Sequence, residues 1–256
     1  MDIIFDHVVV RYDTGKMALG PVNLVVHGGE CVFVTGPNGG GKTTLARLLS
    51  GILIPVSGEL RMGDGIVRSE WPPDYVGWIQ QEPEHQVVGA NILGDVNLSS
   101  LWHASSYRQS VARTRQALKD TGLEPLGARA AETLSGGELH LAAIAAIMAQ
   151  HAQVLVVDEP ETMLDASGQL RVEKMLQALN EQGKTLFVMS HNRIWGRLAD
   201  RHLWVHDGKV EEMDQNGAAQ RLADDWMTFC DGLQAITDRP FESCEVSQIG
   251  KLIWPF

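Results

Sequence analysis

The sequence is short of cysteine, of positive charge and of long apolar runs, and each shortage removes a class of protein. Three cysteines in 256 residues, Cys31, Cys230 and Cys244, are scattered and odd in number. A disulfide scaffold and a cysteine-built zinc site are thereby excluded. Lysine and arginine total 21 against 32 acids, a net charge of −11, which argues against a long basic groove for nucleic acid and against adhesion to an anionic membrane. The longest purely apolar run, Leu141 to Ala149, has nine residues, about half of what a bilayer span needs. The opening MDIIFDHVVVRY begins with acids and lacks a charged-then-apolar leader, so export is not expected. A reduced, soluble, cytoplasmic protein is the expectation, and 44% hydrophobic content supplies a full core.

What is present alternates between two periods. IIFDHVVVRY, PVNLVV and ECVFVTG read as short strands between glycine turns, after which Leu45, Leu48 and Leu49 share one helical face. YVGWIQ is a further strand. From about Asn91 to Gln150 the pattern is helical, broken near Gly122 and Gly127. AQVLVV and KTLFVMS are continuous apolar runs, as expected of parallel strands covered on both faces. Between them a helix is expected over 166–181, with Leu170, Met175, Leu176 and Leu179 inward. HLWVHDGKVEEM reads as a hairpin turning at Asp207-Gly208. Sheet segments from both ends of the chain must meet around an inserted helical block, which is an α/β nucleotide-binding layout.

GPNGGGKTT, Gly36 to Thr44, follows a strand and precedes a helix, and it matches the phosphate-loop pattern. Gly36, Asn38, Gly39, Gly40 and Gly41 let backbone N–H groups turn around phosphate oxygens. Lys42 then supplies a point charge, and the hydroxyls of Thr43 and Thr44 come next, that of Thr43 suited to Mg²⁺. In VLVVDEP, Asp158 ends a buried strand, at the edge where parallel sheets hold ligands. Asp158 is a candidate Mg²⁺ ligand through water, and Glu159 a candidate base toward the attacking water, a role worth roughly 10²–10⁴ in rate. LSGGE, Leu134 to Glu138, reads in two ways. Ser135 and Glu138 make a capping box, while Gly136 and Gly137 bare the first helical turn to an anion from outside the domain.

The phosphate loop, LSGGE with Ser135 lying 93 residues after Lys42, VLVVDEP, and a histidine closing a strand in FVMSHN together resemble the ATPase subunits of ABC transporters. The resemblance covers residues 1–212 and implies a P-loop NTPase (RecA-like) core with an antiparallel β subdomain and a helical subdomain at about 88–150. It implies ATP and Mg²⁺ as cofactors and a head-to-tail dimer of ATPase subunits, with each ATP between one phosphate loop and the other subunit's signature. By that resemblance Tyr12 stacks on adenine, His191 contacts the γ-phosphate, and Asp165 in ETMLD faces the dimer partner, as do Ser135, Gly136 and Gly137.

GWIQQEPEHQ, residues 77 to 86, fits neither strand nor helix period. Gln81 matches the family's glutamine that senses Mg²⁺ and the γ-phosphate. The run from Gln81 through Pro83 to Gln86 is similar to the Q-x-P-x-x-Q of energy-coupling-factor and cobalt-type importer ATPases, which implies that Gln86 helps shape the surface coupled to a transmembrane subunit. The implied place of work is the cytoplasmic face of the membrane, powering import of a vitamin or transition metal ion. An exporter or another importer class is the nearest rival. A DNA-repair, chromosome or ribosome ATPase fits less well, because 93 residues leave no room for a long coiled coil and the chain carries one cassette. A small-molecule kinase leaves LSGGE and His191 without purpose. Glu138 stands where the family has glutamine, Glu161 where a small hydroxyl is common, and LHLAAIAA lacks the usual arginines. Trp226, Phe229, Trp254 and Phe256 make the 213–256 extension more aromatic than a solvated tail: either a dimer support, as the resemblance implies, or a tail folded onto its own domain.

Overall fold

The computed structural model describes residues 1–12, 15, 17–63, 65–66, 75–83, 86–101, 103–162, 164–214 and 217. The four aromatics of the extension lie outside them. Strands β1 (Ile3–Arg11), β2 (Met17–Val26), β3 (Cys31–Thr35), β4 (Ser57–Met62), β5 (Gly65–Ile66), β6 (Val76–Ile79), β7 (Val154–Asp158), β8 (Thr185–Met189), β9 (Arg201–His206) and β10 (Lys209–Met213) form two sheets. Helices α1 (Lys42–Leu49), α2 (Ile92–Leu101), α3 (Tyr107–Asp120), α4 (Gly136–Gln150), α5 (Ala166–Glu181) and α6 (Arg193–Gly196) complete the described elements, with 3-10 turns at Glu124–Leu126 and Ala131–Thr133.

Among the described residues, one sheet runs β10-β9-β3-β8-β7-β6 and is parallel except for β10. Its central strands read as unbroken apolar runs because both faces are covered. Cys31, Phe33, Leu155, Val157, Leu186 and Val188 pack toward α4 and α5. Val32, Val34, Val154, Val156, Phe187 and Met189 pack the other way, with α1 and the second sheet. Alternate residues of a strand face opposite sides, so two cores share one sheet. The second sheet, β2-β1-β4-β5, is antiparallel. β2 begins at Met17, ahead of Pro21, and accommodates that proline because it is an edge strand.

The helical block enters between β6 and β7, which are hydrogen-bonded neighbours. α4 lies close on β6 because residue 77 is glycine; a Cβ there would meet Ile147 Cγ2 at 2.5 Å. α5 departs from expectation at one position. Val172, Leu176 and Leu179 form its buried stripe at helical spacing, whereas Leu170 is 50% exposed. Leu170 lies two positions before Val172, about 200° around the helix from it, and therefore faces out.

Candidate functional site

Parallel strands end at one edge, and the site is assembled from the residues just beyond each end. The phosphate loop leaves β3, Gln81 comes after β6, Asp158 and Glu159 close β7, and His191 comes after β8. A cleft of about 790 Å³ opens there, lined by Tyr12, Asn38, Lys42, Thr43, Gln81 and Glu159 among others.

The phosphate-loop turn closes through Gly40 N–H to Pro37 O at 3.0 Å and leads into α1. Lys42 Nζ donates to Gly36 O at 2.8 Å and to Pro37 O at 3.2 Å. Burial pulls the Lys42 ammonium pKa down, opposed by the Glu159 and Asp158 carboxylates. Helices α3, α4 and α5 are each capped by a side chain of their own, from Ser106, Ser135 and Asp165. α1 has Gly41 at its cap, no side-chain cap bond and no acid in its first turn, a positive helix end suited to an external anion. Tyr12, at the cleft rim, hydrogen-bonds Thr44 Oγ1 through its hydroxyl at 2.7 Å.

Three side chains meet opposite the phosphate loop. Gln81 Nε2 donates to Glu159 Oε2 at 2.7 Å. His191 Nε2 lies 3.9 Å from Glu159 Oε1 and 3.1 Å from Asn38 Oδ1. Burial, reinforced by the Lys42 charge, pushes the His191 imidazole down to about 4, so it is neutral at physiological pH. Glu159 has φ 49°, a left-handed conformation that costs a non-glycine residue roughly 1–3 kcal/mol. Its N–H bond to Met189 O at 2.7 Å holds that turn.

Thr43 Oγ1 lies 3.5 Å from Asp158 Oδ2. A hydroxyl and a carboxylate facing each other beside a phosphate loop fit Mg²⁺, which takes oxygen ligands from few protein groups plus substrate phosphates. Burial, then the neighbouring Glu159, pushes the Asp158 carboxyl up to about 6 from 3.8. A raised carboxyl pKa means the folded protein binds the proton more tightly than the unfolded chain. Stability from this source is fully present below about pH 4 and lost as pH rises through about 6. Asp158→Asn is therefore expected to stabilise the nucleotide-free protein by on the order of 1–3 kcal/mol at pH 7.5, with the gain vanishing toward pH 4. Urea denaturation at the two pH values checks this.

The signature residues sit elsewhere, around a second cavity of about 390 Å³ lined by Ser135, Gly136, Gly137, Glu138, Asp165 and Arg171 among others. Glu138 folds back on its own cap: Oε2 accepts from Ser135 N–H at 2.7 Å and from Ser135 Oγ at 2.8 Å. Those bonds hold its carboxyl below the usual range. Asp165 Oδ1 accepts from Gly168 N–H at 2.7 Å, capping α5.

Two partnerships escape sequence reasoning. Glu161 Oε1 is hydrogen-bonded to the fully buried Ser190 Oγ, tying the turn after Glu159 to the turn before His191. Burial raises the Glu161 carboxyl pKa. The acid at 161 and the serine before His191 are both visible in the sequence, but nothing there pairs them. The half-buried Gln86, expected to help shape a coupling surface, makes a second partnership that the sequence does not reveal. Its amide binds the backbone of Gln80 and Trp78, because the chain turns back at Pro83, where Gln86 N–H bonds Pro83 O at 3.0 Å.

The ABC transporter family model matches residues 19–162. The energy-coupling factor transporter ATP-binding protein EcfA1 of Listeria monocytogenes is 32% identical over 210 residues, 80% of this chain and 75% of its own. EcfA1 of Levilactobacillus brevis is 32% identical over 213 residues, 81% and 76%. Among solved structures, cbiO1 of Clostridium perfringens, part of the ABC transporter complex cbiONQ, superposes with TM-score 0.72 at 25% identity, covering 85% of this chain and 90% of its own. The ATP-binding cassette MJ0796, dimeric in a post-hydrolysis state with ADP and Pi, gives TM-score 0.73 at 26% identity over 83% and 98%. A chain that matches the family model over more than half its length, and curated members over four-fifths of it, belongs to the ABC transporter family as an ATP-hydrolysing subunit.

Proposed function

We propose that this subunit powers an energy-coupling-factor-type importer, working as half of an ATPase dimer bound to a transmembrane coupling subunit at the cytoplasmic face of the membrane. The observation that carries the hydrolytic part is the convergence of Gln81, Glu159 and His191 across the cleft from Lys42. The phosphate-loop N–H groups and Lys42 hold the phosphates of ATP, and the Tyr12 ring takes the adenine. Thr43, Asp158 and Gln81 would hold Mg²⁺, which when bound neutralises phosphate charge. Glu159 accepts the proton of the attacking water, and neutral His191 orients the γ-phosphate.

Ser135, Gly136, Gly137 and Asp165 face a different cavity from the phosphate loop, which supports their serving the ATP of a second subunit. No helix among the described residues is long and apolar enough to cross a membrane. The named relatives EcfA1 and cbiO1 support the importer class over the exporter. The formal net charge of −11 argues against a nucleic-acid partner.

Purification from native membranes in mild detergent and identification of the co-purifying chains by mass spectrometry test this reading. A polytopic membrane protein and an ATPase subunit are expected to accompany the chain. Recovery only from the soluble fraction, or with ribosomal or DNA-repair proteins, overturns the transport reading.

A further inference from the structure

Gln80 and the residues after it leave β6 and carry Gln81 to Glu159, and so polar a loop needs something to hold its path. Among the described residues β6 is the edge strand of its sheet. The carbonyl of Trp78 and the N–H of Gln80 lie two residues apart, on the side of the strand away from β7. A bare edge of this kind leaves backbone groups without ladder partners. The Gln86 side chain supplies both: Oε1 accepts from Gln80 N–H at 2.8 Å, and Nε2 donates to Trp78 O at 2.7 Å. A primary amide offers an acceptor and a donor in one plane, so it copies one residue of a neighbouring strand. Just beyond, Val88 and Gly89 N–H both donate to Asp95 Oδ1 on α2, at 2.9 and 3.0 Å. The loop is thus closed at its base by Gln86 and fastened to the helical block by Asp95. Within the turn that Gln86 closes, Gln81 reaches Glu159 Oε2.

We propose that Gln86 is a positioning residue for hydrolysis: its amide seals the edge of β6 and thereby fixes where Gln81 meets Glu159. The inference rests on the reading of the cleft as the hydrolytic site. Gln86 touches none of the reacting groups, so its whole effect must pass through Gln81. Leucine at 86 keeps the bulk and pairs neither backbone group. Glutamate keeps the acceptor for Gln80 N–H but sets a carboxylate oxygen against the Trp78 carbonyl.

The test is a double-mutant cycle on the full chain, in the complex with which it purifies, by steady-state ATP hydrolysis. Gln86→Leu is expected to lower kcat by roughly fivefold or more while KM for ATP moves less than about twofold, with Gln86→Glu between it and the parent. In a Gln81→Ala background the same substitutions are expected to change kcat by less than about twofold, because the residue they act through is gone. Equal losses with and without Gln81, or an unchanged kcat in Gln86→Leu, overturn the proposal. Should Gln86→Leu fail to fold, Gln86→Glu carries the cycle under the same criteria. An absence of hydrolysis by the parent chain overturns the functional reading and this inference together, whereas additivity in an active enzyme overturns this inference alone.

Discussion

Glu159→Gln is expected to reduce ATP hydrolysis by roughly 10²–10⁴-fold, the range of a lost general base, while ATP still binds. The amide has the size of the carboxylate and can still accept the bond from Gln81 Nε2, so the cleft keeps its shape. What it loses is the ability to take a proton from water. Binding is expected to hold or tighten, because Glu159 contributes to the raised Asp158 pKa and its charge opposes the phosphates. Steady-state hydrolysis and equilibrium ATP binding, measured on the same preparation, separate the two effects. Hydrolysis within about tenfold of the parent would show that another group takes the proton. Loss of binding in step with hydrolysis would show that Glu159 holds the cleft together instead.

How much of this can be read from sequence depends on the kind of signal. β3, β7 and β8 are legible because a strand covered on both faces is a continuous apolar run, and the residue at its end is then located without further knowledge. Asp158 is found in this way, whereas His191, two residues beyond the end of β8, is singled out by the family resemblance. The hairpin is legible because Asp207 and Gly208 both take positive φ, 47° and 75°, the conformation that an Asp-Gly turn between strands requires. β4 is harder to see. Leu60 and Met62 alternate inward, but Ser57, Gly58 and Arg61 interrupt any β-rich run. Leu170 misleads because a leucine on a helix is taken as inward until the buried stripe is known. Gln86 and Glu161 stand out as unusual residues, yet their partners are a free strand edge and a buried serine 29 positions away. Side-chain pairing of that sort depends on the path of the backbone, which local pattern does not contain.

Gly36→Ala is expected to destabilise the protein by roughly 3–5 kcal/mol, combining overpacking with backbone strain, and to abolish ATP binding. A Cβ at residue 36 would lie 2.0 Å from Val205 O and 2.9 Å from Val205 C. Val205 is fully buried in β9, beside β3 in the sheet, so its carbonyl cannot yield as the tip of a flexible side chain would. Gly36 also has φ 145°, which L-residues avoid. Gly39 is the control. It has φ 76° but nothing within 4 Å of an added Cβ, so Gly39→Ala is expected to cost only about 1–2 kcal/mol. Urea denaturation and ATP binding of both variants check the ranking. Equal costs would show that backbone conformation alone decides. The comparison divides the glycines of the phosphate loop by purpose. Gly36 and Gly40 both face Val205 O, at 2.0 and 2.5 Å from an added Cβ, and are needed to lay the loop against β9. Gly39 and Gly41 are needed for their positive φ, 76° and 122°. Close packing against a rigid carbonyl prevents the loop from relaxing away from β9, so the glycines that face Val205 hold in place those that set the turn.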